Sequence, residues 1–268
     1  MAVATLQPLL NGELHQPDSF LLSWATEELR RALDRAPRLD GRPYEIFGQG
    51  SRVNGTALEQ GSDIDLILML RAPAPAGYGW EGFRDDVLAT LGRTYPVRMG
   101  RRCLNVDEPG SLFGEMVDIL VATEFRLPTA TGVVEQGVFF RDQDGRPIVN
   151  FPRQHRRNGD AKDRRTGGRF KEVVRAAKRA KKLAERELLL AAGAAPSYLL
   201  ECLLYNVPDE VYRTASTGEA YRGALRWLDR AELAGLACQN GINQLFGPGP
   251  DQWEPGAAAT IIDVLHEI

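Results

Sequence analysis

Apolar positions change their rhythm near residue 150. Before it they fall into short blocks. In "DSFLLSWATEELRRALDRA" the residues Phe20, Leu21, Trp24, Leu29 and Leu33 sit near helical spacing, with Asp18 or Ser19 as a cap. After "PRLDGRP", "YEIFGQGS" predicts a short strand running into a glycine turn, and "SDIDLILML" predicts a strand ended by Pro73 and Pro75. A helix is predicted over "WEGFRDDVLATLGRTY", then strands over "PVRMGRRCLNVD" and "EMVDILVATEF". Beyond 150 the period is helical. "GGRFKEVVRAAKRAKKLAERELLLAAG" predicts one long helix ending at Gly193, with Phe170, Val173, Val174, Ala177 and Leu183 inward. "PSYLLECLLYNVP" predicts a second, stopped by Pro208, and "GEAYRGALRWLDRAEL" and "AAATIIDVLHEI" two more. The expected architecture is an α+β lobe over residues 1–150 and a helical lobe over 151–268, with a ligand cleft between them.

Composition changes this picture in few places. A chain of 268 residues, 43% hydrophobic and 26% charged, is expected to be a soluble globular protein. It has no run of about 18 apolar residues to span a membrane. The start, "MAVATLQPLLNGELHQPDSF", lacks a basic stretch followed by an apolar one, so no signal peptide is expected. Cys103, Cys202 and Cys238 are isolated and odd in number, which argues against a zinc ribbon and for reduced thiols in the cytoplasm. The net charge of −3 conceals 13 Lys or Arg against three acidic residues between Arg153 and Lys182. Such a block fits either an anionic partner or a solvated helix face.

Candidate chemistry is densest in "FGQGSRVNGTALEQGSDIDLILML". On a strand, residues two apart share a face, so Asp63 and Asp65 point together while Ile64 turns into the core. Two adjacent carboxylates repel, and a hard divalent cation relieves the repulsion. Magnesium takes a few carboxylates and also binds substrate phosphates. Asp118, which interrupts an apolar strand and alternates with Met116 and Leu120, is the candidate third ligand. Upstream, Gly48 and Gly50 let backbone N–H groups approach a phosphate closely, and Ser51 adds a hydroxyl. Taken singly, a Gly-Ser turn, a D-x-D pair or one strand Asp are each commonly structural. Together they form a layout for phosphoryl or nucleotidyl transfer.

Gly-Ser, then Asp-Ile-Asp, then "VDI" resembles the DNA polymerase β-like nucleotidyltransferases. "NFPRQHRRNGDAKDRRTGGRFKEVVRAAKRAKK" followed by "PSYLLECLLYNVP" narrows the resemblance to the bacterial cGAS/DncV-like nucleotidyltransferases, or CD-NTases, over roughly residues 44–210. The resemblance implies an enzyme that condenses ribonucleoside triphosphates, UTP and ATP among them, into a cyclic di- or oligonucleotide with release of pyrophosphate. Such signals act on a separate effector protein during phage infection. It implies that Gln49, Gly50 and Ser51 hold the donor triphosphate. Asp63, Asp65 and Asp118 would bind two magnesium ions, with manganese as a substitute, and Asp118 would help deprotonate the acceptor. Lys178 and Ser197 would contact the triphosphate, and Tyr198 would stack on a base.

The residues agree in part. Lys171, Arg175, Lys178 and Lys182 recur at helical spacing as one cationic stripe, and Ser197 follows Pro196 at a helix start. The bland alternatives are an N-cap for Ser197, core packing for Tyr198 and a solvated face for Lys171 and Lys182. Asn158, in "HRRN", offers one acceptor and two donors to a base edge, and in the resembling group an asparagine there accompanies uridine. Arg52 stands where many relatives carry an aromatic residue. Without a zinc insertion, activation by DNA is not expected, and the protein is expected to be a monomer. The alternatives are another polymerase β-like enzyme acting on RNA, a protein or a small molecule, and an inactive nucleic-acid-binding relative.

Overall fold

The computed structural model describes residues 18–34, 36–58, 63–74, 76–106 and 117–268. The expected roles of Met116 and Pro75, and capping by the side chains of Asp18 or Ser19, lie outside what is described. By contact the chain divides into two units. The first comprises the described residues within Met1–Val53 and Glu59–Asn150, and the second Asn54–Leu58 with Phe151–Ile268.

The first unit is a seven-stranded mixed sheet with two longer helices, α1 (Asp18–Asp34) and α3 (Trp80–Leu91), and a single turn and a half of helix, α2 (Gly50–Asn54). Strands β1 (Tyr44–Gln49), β2 (Ile64–Leu70), β3 (Val97–Met99), β4 (Leu104–Val106) and β5 (Val117–Pro128) lie in the order β1-β2-β5-β4-β3. β6 (Val134–Arg141) pairs with the far end of β5, and β7 (Pro147–Asn150) with β6. β2 and β5 are parallel; the other pairs are antiparallel.

β2 and the first half of β5 are buried on both faces, which is why "LILML" reads as a continuous apolar run. Ile64, Leu66, Leu68 and Leu70 join Val117, Ile119 and Val121 under α1 and α3, against Leu29, Phe83 and Val87. The opposite face carries Ile67, Met69, Leu120 and Ala122, closed by Trp80, Val138, Phe140 and Ile148. Asp63 and Asp65 share the parity of Ile67 and Met69, and Asp118 that of Leu120. The three carboxylates therefore continue this second face beyond the apolar patch, at the end where β2 and β5 begin.

Several local expectations need correction. The stretch predicted as one strand over "PVRMGRRCLNVD" is the hairpin β3–β4, because Gly100 to Cys103 form its turn. β6 and β7 were not anticipated. Phe20, expected inward on α1, is 49% exposed, and Ala25 takes the buried position at 0%.

The second unit is helical: α4 (Pro152–Arg165), α5 (Arg169–Arg186), α6 (Ser197–Asn206), α7 (Thr217–Leu228) and α8 (Pro255–Glu267). Its core joins Phe170, Val173 and Val174 of α5 to Leu199 and Leu203 of α6, Ala224 and Leu228 of α7, and Ile261 of α8. The long helix expected to end at Gly193 stops at Arg186. Before it lies α4, which the apolar pattern did not reveal because its buried positions are Gln154, His155, Gly159 and Lys162. Gly167 and Gly168, at φ +62° and +86°, make the turn that separates α4 from α5.

Candidate active site

Strand register assembles the acidic residues. Gln49 of β1 pairs with Asp65 of β2, Asp65 with Asp118 of β5, Asp118 with Asn105 of β4, and Asn105 with Arg98 of β3. One row thus crosses five strands, and side chains that pair across neighbouring strands stand on one face. Three of the five, Gln49, Asp65 and Asp118, were expected from the sequence. Asp63 precedes β2 by one residue, on the same face and exposed.

The electrostatics show the cost of this row. Burial pushes the Asp118 carboxyl above its ordinary range, the charge of Asp63 pushes it further, and the Asn105 amide opposes both by donating from Nδ2 to Asp118 Oδ1. Although exposed, Asp63 is partly desolvated and its carboxyl is also raised, opposed by the charge of Arg52. Burial, with Asp118 and Asp65 near, pushes the Cys103 thiol up to about 12, so it stays protonated. The two carboxylates would be eased by a nearby cation.

α2 begins where β1 ends. Gly50 has φ +75°, and a Cβ there would lie 2.6 Å from Asp65 Cγ. Only a glycine leaves room for the carboxylate beside this backbone. Asn105 and Arg98 escaped sequence reading because nothing local marks them; they belong to the row through pairing alone.

The residues suit a hard metal in chemistry more than in posture. Carboxylate oxygens are the donors magnesium takes, and register partners on adjacent strands stand about 4.8 Å apart, within reach of a shared ion after side-chain rotation. Among the described residues, however, no group of three or more His, Cys, Asp or Glu side chains is arranged as it stands to hold a metal ion.

The other expected site residues lie in the second unit. Asn158 sits on α4 and donates from Nδ2 to the carbonyl of Gln239 at 3.0 Å. Ser197 is the first residue of α6, exposed, with Pro196 as the N-cap residue and no side-chain cap bond. Tyr198 stacks on His155 (5.0 Å, 21° between planes) and on Trp253 (5.9 Å, 24°). Lys178 is 4% exposed. Its ammonium donates to Glu201 Oε1 at 2.6 Å, Thr56 Oγ1 at 3.0 Å and the Thr56 carbonyl at 3.2 Å. An ammonium has three donors, so as placed none is left for a phosphate. Sequence reading missed Glu201, which is buried among these groups.

Comparison with known proteins decides the family. The cGAS/DncV-like nucleotidyltransferase C-terminal helical domain matches residues 157–268. Over 281 aligned residues the chain is 31% identical to a cyclic UMP-AMP synthase of Rhodothermus marinus, covering 95% of this chain and 94% of that protein. The chain belongs to this family. It is a nucleotidyltransferase, an enzyme that joins ribonucleoside triphosphates into cyclic oligonucleotides. A cyclic dipyrimidine nucleotide synthase of Cecembia lonarensis is 28% identical, over 70% of each chain. The solved structure of the Rhodothermus marinus c-UMP-AMP synthase with Apcpp and Upnpp superposes with a TM-score of 0.81 at 29% identity, over 94% of this chain and 92% of that one. The mixed α+β core with a helical C-terminal domain is therefore the family fold.

Proposed function

We propose that this CD-NTase makes a uridine-containing cyclic dinucleotide, with Asp63, Asp65 and Asp118 as its catalytic carboxylates. The row that sets Asp65 beside Asp118, with Asp63 on the same face, carries the reading. These three residues would hold two magnesium ions, or manganese in their place. When bound, the ions would supply charge neutralisation for the reacting phosphates and lower the pKa of the attacking hydroxyl. Asp118 accepts the hydroxyl proton. Asn105 keeps one of its oxygens engaged, which orients the other. The backbone N–H groups at Gly50 and Ser51, with the Ser51 hydroxyl and Gln49, receive the donor triphosphate.

From the helical unit, Ser197 offers an exposed hydroxyl to the triphosphate, and Lys178 serves it through the segment it holds. Tyr198 supports the base through its stack with Trp253. Asn158 uses one N–H on Gln239, which leaves its carbonyl and second N–H for the edge of uracil. The relative named for UMP-AMP synthesis supports uridine. No helix of the described residues is long and apolar enough to cross a membrane. The proposed setting is the cytoplasm, acting as a monomer, without DNA activation, with the product passed to a separate effector protein in anti-phage signalling.

Mass spectrometry of products from the four ribonucleoside triphosphates with magnesium tests this. A cyclic product containing uridine is expected, and Asp65→Asn or chelation abolishes it. Products lacking uridine would refute the base assignment, and linear or protein-linked products the reaction class.

A further inference from the structure

Three of the four residues in the cationic stripe of α5 are engaged by the protein itself, while Lys182 stands exposed at its C-terminal end. Arg175 donates from Nη1 to the carbonyl of Gly55 at 2.6 Å, Lys171 pairs with Asp160, and Lys178 reaches Thr56 and Glu201. Its targets therefore include a five-residue stretch of chain, Asn54–Leu58, that begins at the last residue of α2 and belongs by contact to the helical unit.

Glu201 is the centre of this arrangement. Oε1 accepts from Lys178 Nζ at 2.6 Å and Thr56 Oγ1 at 2.6 Å; Oε2 accepts from His155 Nε2 at 2.9 Å and Asn54 Nδ2 at 3.2 Å. Four donors fill the roughly four lone-pair positions of one carboxylate. Burial would raise this carboxyl, but the His155 hydrogen bond and the Lys178 charge outweigh it and hold it at about 2. The group is therefore ionised throughout the working pH range. A buried ion pair adds little stability over an apolar replacement, whereas a fully satisfied polar network fixes one geometry. The network's product here is a defined position for Asn54, Gly55 and Thr56.

We infer that Glu201, with Lys178, is a positioning device for the donor-phosphate turn: the Lys178–Glu201–Thr56–Asn54 network fixes the C-terminal end of α2, and so the Gly50–Ser51 turn at its other end. Asn54 is the last residue of α2 and Gly50 the first. At about 1.5 Å per residue the two ends are under 8 Å apart along a rigid turn and a half. A shift at Asn54 is delivered to Ser51 with little loss. The inference rests on the proposed role of Gly50 and Ser51. It assigns Glu201 and Lys178 no contact with substrate.

The test uses Thr56→Val and Thr56→Ser, which remove and keep the hydroxyl, together with Asn54→Ala and Glu201→Gln. Each is measured well below its own melting temperature. The readouts are KM and kcat for the triphosphates, and Kd for a non-hydrolysable triphosphate. Thr56→Val and Asn54→Ala are expected to weaken analogue binding and raise KM about tenfold or more. Thr56→Ser should stay within about twofold of the parent, and Glu201→Gln should show the largest loss. If Thr56→Val and Asn54→Ala melt lower but bind the analogue within twofold of the parent, the network is only structural and the inference fails. Should Glu201→Gln not fold, the Thr56 and Asn54 variants still decide. A parent that binds the analogue but forms no cyclic product would refute the functional reading, while the Kd comparison would still judge the network.

Discussion

Gly50→Ala separates the two demands made on the turn before α2. Gly50 sits at φ +75°, where a side chain costs about 1–2 kcal/mol. Its new Cβ would also fall 2.6 Å from Asp65 Cγ and 3.0 Å from Asp65 Cβ, so the carboxylate must swing away. Gly132 supplies the control: its φ is +80°, and a Cβ there meets nothing within 4 Å. Gly132→Ala therefore carries the strain without the collision. Both variants should melt roughly 2–8 °C below the parent, from the strain alone. Their activities should diverge. Gly132→Ala keeps full turnover, because nothing in the row moves. Gly50→Ala displaces Asp65, a proposed catalytic carboxylate, and should lose at least about 100-fold in kcat/KM, about 2.7 kcal/mol of transition-state stabilisation. The assay is pyrophosphate release at saturating magnesium, on samples matched for folded fraction. If Gly50→Ala turns over within a few-fold of Gly132→Ala, Asp65 is not needed where the structure puts it, and the row is not the active site.

Asp118 gives a prediction with a definite sign. Its carboxyl is raised in the folded protein, so the native state takes up a proton before the unfolded chain does as pH falls. The charge is a cost above the folded pKa that is relieved below it. Without metal at pH 7, Asp118→Asn should therefore melt higher than the parent, and the gap should close on acidification; a lower melting point at pH 7 would show the charge is not strained. Magnesium should raise the parent's melting temperature and leave Asp118→Asn nearly unchanged, as read by scanning fluorimetry, and equal shifts would place the ion elsewhere. Asn105→Ala frees one Asp118 oxygen and should cut kcat about tenfold with KM little changed, whereas a pure KM effect would assign it to substrate binding. Asn158→Ala should lower uridine incorporation relative to other bases in mixed-triphosphate reactions; an unaltered product ratio would remove Asn158 from base selection.

The acidic site was readable because its signal is local. A strand's two-residue period puts Asp63 and Asp65 on one face whatever the strand pairs with, and a carboxylate inside an apolar run, as at Asp118, needs an explanation wherever it stands. The central strands and the inward faces of α5 and α6 were legible for the same reason: Phe170, Val173, Val174 and Ala177 repeat at helical spacing and are buried. α4 was not, since a helix that buries Gln154, His155 and Lys162 has no apolar stripe to find.

What folding added depends on distance along the chain. Which residue lies opposite Asp118 is a matter of register between strands far apart in sequence, and no local pattern names Asn105 or Arg98 as its neighbours across the sheet. The lysines and arginines of α5 showed a charged face but not its partner. A cationic stripe reads the same whether it meets water, phosphate or a carbonyl, and for Lys178 the partner is a segment 122 residues away. Side-chain chemistry and periodicity were written locally; pairing, and with it the use each charge is put to, came from long-range packing.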